Sequence, residues 1–320
     1  MNYSKNIELF GIVGNLTPLW EETEPNFPFA DRARQKFLPF KNHDAVKNAQ
    51  KLLEKRSRRY LALFAFYLSD LPEAKITVPS LSFFAKLMMK RSIPDIRDFY
   101  YKSDFESFWL ENAAYYGKLQ SDIMEKIKNI EIASFLEGYF GCKMDRYVLV
   151  FTPQMARFQM GQLIKSKEGK SVFAVFGPRE EDMSGQYFIR TRDLLIDVVF
   201  HEFGRLFMSD ILERQEKLLK RYSHLHKKFK KNITNKELRS WHRFFFENMY
   251  RAVQSRLVLG LFDETISLSD MKRNSGGDFL LVPALYELIA KYERSRETYK
   301  DLESFLPDLL TSLEERLKDQ

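Results

Sequence analysis

A single cysteine, Cys142, stands in the 320 residues, so the chain contains no internal disulfide framework and does not depend on an oxidising compartment. Cys142 reads as a packing residue. No run of about twenty apolar residues occurs, which excludes a spanning helix. Residues Met1 to Asn6 lead directly into a short strand-like segment, without the apolar stretch that export needs, and a cytoplasmic protein is expected. Internal repeats and low-complexity tracts are absent.

Apolar residues are plentiful. They make up 44% of the chain and aromatic residues 15%, with 29 phenylalanines, a content that excludes disorder and supplies a large core, as one extended domain or two packed parts. The formal net charge is +7, and basic residues gather at Lys51–Arg59 and at Lys217–Lys231. Neither cluster carries a nucleic-acid fold signature, so both read as solvated helix faces, with an acidic surface or polyanion as the alternative partner.

Periodicity gives the organisation. After a strand over Ile7–Ile12 and a Pro-containing loop (Thr17-Pro18, Glu24-Pro25-Asn26-Phe27-Pro28), helices are predicted at Ala45–Ser69, Ser80–Lys90, Ser103–Tyr116 and Lys118–Phe140. Arg146–Phe151, Gln159–Ile164 and Ser171–Phe176 have strand length and pattern, with Lys167-Glu168-Gly169-Lys170 as turn material. From Leu194 the pattern is helical again, interrupted at Ser275-Gly276-Gly277-Asp278. The reading is a mainly helical α+β protein, divided at 145/146 into an N-terminal helical region and a region holding sheet, motif helix and C-terminal helices.

The motif is His201-Glu202-Phe203-Gly204-Arg205. In an intact H-E-x-x-H helix two histidines one turn apart grip zinc and the glutamate between them is the general base; here arginine stands at the second ligand position. The flanks, Leu194-Leu195-Ile196 through Leu206-Phe207-Met208, are apolar almost all round, as in a buried helix, and Asp193 can cap its start. A zinc helix of this kind draws a further ligand from another helix, and Glu247, embedded in Trp241–Val253 behind three consecutive phenylalanines, is the candidate. The competing reading is an i,i+4 pair between Glu247 and Arg251. Among the other histidines, His224 and His226 lie in an exposed basic segment, His43 reads as a capping or packing residue at a helix start, and His242, five residues before Glu247, is off the spacing that would join it on one helix face.

These residues resemble a bacterial and archaeal family, catalogued as a domain of unknown function and regarded as zincin-like metallopeptidases, whose signature is HEFSH followed by Phe-Val-Asn-Pro. Further stations are similar in order: Ile7–Ile12 as the opening strand, Phe37–Val46, Phe99–Phe105, Tyr115-Tyr116, Val148–Pro153, Glu247–Ala252, and Pro283–Leu288 with Lys291–Tyr299. The resemblance implies a zincin-like core, His201 and Glu247 as zinc ligands and Glu202 as the base acting on a peptide substrate; relatives are often exported.

This chain departs from the family pattern at the motif. Arg205 replaces the histidine, Gly204 the serine, and Met208-Ser209-Asp210 stands at Val-Asn-Pro. A guanidinium stays protonated and offers no lone pair to a metal. Without zinc, Glu202 and Glu247 would be like charges lacking a counter-ion, and Arg205 can supply one. The expectation is a pseudo-peptidase, against an active hydrolase with a remodelled zinc site or a basic interaction module.

Overall fold

The structure, a computed structural model, describes residues 4–21, 27–55, 57–78, 81–166, 169–181 and 187–318. The expected turn residues Lys167-Glu168, the loop residues Glu24-Pro25-Asn26, the helix start at Ser80 and Arg56 of the first basic cluster lie outside them. The fold is mainly helical α+β. It divides into two compact units, residues 1–130 with 145–191 and residues 131–144 with 192–320. This division differs from the one expected at 145/146: the sheet groups with the N-terminal helices, and a short segment before it groups with the C-terminal ones.

In the first unit the segment read as an opening strand is a helix, α1, Lys5–Asn15. Ile7, Leu9, Phe10, Ile12 and Val13 are apolar on every face, so no period separates strand from helix. Length and capping decide the matter: Ser4 Oγ accepts from the Ile7 amide at 3.3 Å, and all residues from Asn6 to Asn15 are buried. The buried polar residues on α1 are engaged. Asn6 Nδ2 donates to the carbonyls of Ala65 and Ser69 at 3.2 and 3.0 Å, and Asn6 Oδ1 accepts from the Leu71 amide. Asn15 Nδ2 donates to the Gln154 carbonyl at 3.0 Å. At Gly11 a Cβ would lie 2.7 Å from Gln154 Cβ, so only glycine allows α1 this approach.

The helix expected over Ala45–Ser69 is two, Asp44–Lys55 and Arg59–Phe66. The next expected helix is longer, Phe83–Lys102. Those predicted over 103–140 are three, Phe105–Glu111, Ala113–Ile127 and Ile132–Phe140. All three predicted strands form. β1 (Arg146–Phe151) runs parallel to the central β3 (Gly169–Phe176), pairing Val148 with Phe173 and Val150 with Val175; β2 (Gln159–Ser166) runs antiparallel on the other side of β3, pairing Met160 with Val175.

In the second unit the Trp241–Leu261 helix is central and buried on nearly every side, packing against Glu264–Asn274, Val282–Arg294 and the motif helix. Phe140 stacks on Phe207 at 4.7 Å between ring centroids. Asp210, where the resembled pattern has part of Val-Asn-Pro, is buried and pairs with Arg214 at 2.5 Å; Arg214 in turn holds Glu303 of the Leu302–Lys318 helix. Among the described residues no helix is long and apolar enough to cross a membrane.

Glu8 on α1 is wholly buried, and desolvation pushes its carboxyl up to about 8 despite the hydrogen bond from the Tyr116 hydroxyl at 3.1 Å. Between about pH 4.5 and 8 the folded chain therefore keeps a proton that the unfolded chain releases, and stability falls across that window as pH rises. In urea unfolding Glu8→Gln should match the wild type near pH 4.5 and exceed it by about 2 kcal/mol or more at pH 8; equal stabilities at pH 8 would show that Glu8 is ionised in the fold.

Candidate functional site

The motif helix begins at Thr191, runs from Leu194 to Phe203 with π-type i→i+5 bonding and continues as an α-helix from Gly204 to Arg214. Asp193 already has helical backbone angles and its side chain caps nothing, which corrects the capping expectation. The wide turn holds His201 and Glu202, and Arg205 follows on the α-helical part. A π segment is rare because it opens the backbone spacing, and it recurs at functional sites. Nothing requires glycine at 204: a Cβ there would meet Leu257 Cδ1 at an ordinary 3.6 Å.

Glu247, on the facing Trp241–Leu261 helix, is buried among three guanidiniums. Arg243 Nη2 lies 2.8 Å and Arg205 Nη2 3.5 Å from Oε1, and Arg251 Nη1 lies 2.6 Å from Oε2. Arg243 and Arg251 stand one turn before and one turn after Glu247 on its own helix, while Arg205 comes from the motif helix. Burial alone would push the carboxyl up; the Arg251 hydrogen bond and the three positive charges outweigh it and hold Glu247 below the usual carboxylate range. The cations lie over rings: Arg205 over Phe246 and Tyr250 at 5.5 and 5.8 Å, Arg251 over Phe279 at 3.7 Å. Such placement adds attraction while the guanidiniums are partly dried.

His201 belongs to a second network. Its Nδ1 lies 2.7 Å from Gln254 Oε1, and Gln254 Nε2 lies 3.4 Å from both Asp270 oxygens. Asp270 accepts from Arg273 and Ser255, so the amide turns its NH2 to Asp270 and its oxygen to His201, and the oxygen can only accept from a proton on Nδ1. The lone pair of Nε2 then accepts from the Tyr250 hydroxyl at 3.3 Å. Asp270 also accepts from Ser255 at 2.7 Å and pairs with Arg273, which reaches Asp197 on the motif helix at 2.9 Å. Glu202 is buried and makes no hydrogen bond or ion pair among the described residues. The Tyr250 phenol is held well above its ordinary value by burial first, with Arg251 opposing and the charges of Glu247 and Glu202 adding.

The structure thus brings Arg205 to Glu247, and the cation expected between two carboxylates pairs with one of them. Sequence reasoning missed Arg243, Tyr250, Gln254 and Asp270; the only signal was helical spacing from Glu247, at i−4 and i+3 for the first two. Among the described residues no group of three or more His, Cys, Asp or Glu side chains is placed to hold a metal. His201 Nε2 has the lone pair a ligand needs, but Glu247 is engaged by arginines, so the residues as arranged do not form the three-ligand set of a catalytic zinc site. His43 accepts from the Ala45 amide at 3.1 Å, as a cap. His226, expected to be exposed, is buried with Nε2 3.2 Å from the Leu238 carbonyl, because Leu225 and Leu238 draw that turn inward. His242 is exposed.

The chain belongs to the family described as "Domain of unknown function (DUF4932)", whose model matches residues 85–312, a span that includes the motif helix and Glu247. No curated protein and no solved structure matches.

Glu247→Gln leaves three guanidiniums around a neutral amide and should cost roughly 3 kcal/mol in denaturant unfolding at pH 7; a loss within experimental error would show that the cluster is open to water. In 15N NMR the neutral imidazole of His201 should carry its proton on Nδ1 with Nε2 unprotonated, and Gln254→Leu should mix the tautomers.

Proposed function

We propose that this chain is a divergent relative of the zincin-like metallopeptidases and a pseudo-peptidase, in which Arg205 replaces a zinc-ligand histidine. One observation carries the reading: the carboxylate at the expected third-ligand position, Glu247, is bound by Arg205 and two further arginines. A guanidinium fork supplies the positive charge that a metal would bring, with donors matched to carboxylate oxygens. Glu202 keeps the position of a general base, but with the ligand set replaced it has no polarised water to act on. What remains is recognition without cleavage, of a peptide or protein partner.

A second reading, an active zinc hydrolase with a remodelled site, is favoured by the orientation of His201, whose Nε2 meets only the Tyr250 hydroxyl, a donor a metal could displace. It requires Glu247 to leave its arginines.

Elemental analysis of protein purified without chelators distinguishes the two readings. Zinc far below one ion per chain and no zinc-dependent peptide cleavage are expected, and stoichiometric zinc would overturn the pseudo-peptidase. Arg205→His should raise zinc affinity roughly tenfold or more; unchanged affinity would mean that position 205 does not face the former metal site.

A further inference from the structure

The first unit contains a cavity of about 520 Å³ between α1 and the helices Asp44–Lys55, Arg59–Phe66 and Phe83–Lys102. Small-molecule sites span roughly 300–1,000 Å³ and combine apolar walls with a few polar groups. Here Phe10, Val13, Leu52, Phe64 and Ile96 form apolar wall, Asn48 and Ser92 add neutral polar groups, and the charged contribution is one-sided: Lys51 and Lys55, one turn apart on the same helix, and Arg91 from the Phe83–Lys102 helix. All three cations are exposed, and none makes an ion pair or hydrogen bond among the described residues.

The carboxylates on the same helices are already engaged. Asp44 is held by Lys47, with a weaker pull from Lys51, Glu54 by Gln50, and Asp95 by Asn48. The cavity thus couples an apolar interior to a rim whose three cations make no close ion pair among the described residues. Water gains little from such a wall, and a fully polar anion would leave it wet. An unbranched apolar chain fills the wall, and one terminal negative group answers the rim, where lysine stems cover apolar surface and keep their ammonium groups in water. Exposed Phe83, Leu87 and Met88 extend the apolar surface along the Phe83–Lys102 helix beside Arg91.

We infer that this cavity binds a single-chain amphipathic anion, of the chemical class of a long-chain carboxylate, with its tail among Phe10, Leu52, Phe64 and Ile96 and its head group at Lys51, Lys55 and Arg91. The inference does not depend on the state of the Glu247 site.

The full chain is titrated with dansylaminoundecanoate while the fluorescence of the dansyl group is followed. Saturable enhancement is expected, displaced by oleate but not by octadecylamine or methyl oleate. Reversing the exposed rim with Lys51→Glu, Lys55→Glu and Arg91→Glu should weaken the probe roughly tenfold or more with the melting temperature kept. Ala49→Leu, which narrows the cavity and leaves the rim intact, should weaken it too. Absence of saturation, equal displacement by the amine, or indifference to charge reversal would overturn the assignment. Vesicles of phosphatidylcholine and phosphatidylglycerol identify the source of the anion. Capture of the chain that oleate does not compete would mean a bilayer surface and would overturn the cavity site; capture that oleate abolishes would support it.

Discussion

A carboxylate withdrawn from water into an apolar helix interface is costly unless opposite charge and donors arrive with it. Glu247 sits in that situation, in the first third of the helix on which the second unit is assembled, and it is offset by arginines one turn before, one turn after and across the interface. Two consequences follow. The Trp241–Leu261 helix can be buried nearly all round although it carries an acid, and the motif helix is fastened to it through Arg205. The arginines outnumber the glutamate, and the rings of Phe246, Tyr250 and Phe279 take up part of the imbalance by lying under the cations.

His201, one helical step away on the motif helix, is governed by different chemistry. A neutral amide stands between it and Asp270, so the imidazole receives a fixed proton position without touching a carboxylate. The Asp270 carboxylate is shared with Ser255, Asn274 and Arg273, and Arg273 returns to the motif helix at Asp197. The Arg205 network ends on the Trp241–Leu261 helix, whereas the His201 network passes through it to Asp270 and Arg273 and returns to the motif helix at Asp197.

What the sequence revealed and concealed follows from the physics of pattern. The three strands were legible because β-branched and aromatic residues cluster at strand length between turn formers. α1 was not, since a segment apolar on every face has no period to read. Glu247 was legible because a lone acid behind three phenylalanines is anomalous. Arg251 lay at readable spacing, whereas the approach of Arg205 depends on how two helices cross. Gln254 and Asp270 carried no signal, because an amide in a buried helix acquires meaning only from a partner 16 residues on. His226 misled for the opposite reason: a basic neighbourhood suggested solvent, and packing of two leucines decided otherwise.

The two units are threaded through each other in chain order, since residues 131–144 leave the first before residues 145–191 return to it. During synthesis α1 emerges before the sheet, yet its partner Gln154 follows more than a hundred residues later. The Ile132–Phe140 helix must likewise wait for Phe207, far down the chain. Neither unit can therefore be completed while the other is still wholly unmade, and no single cut divides the polypeptide into two pieces that each contain a whole unit. Assembly by long-range closure of this kind is slow compared with local helix pairing, and the Glu247 cluster, whose motif-helix partner lies 42 residues before it, belongs to the part of the chain made last.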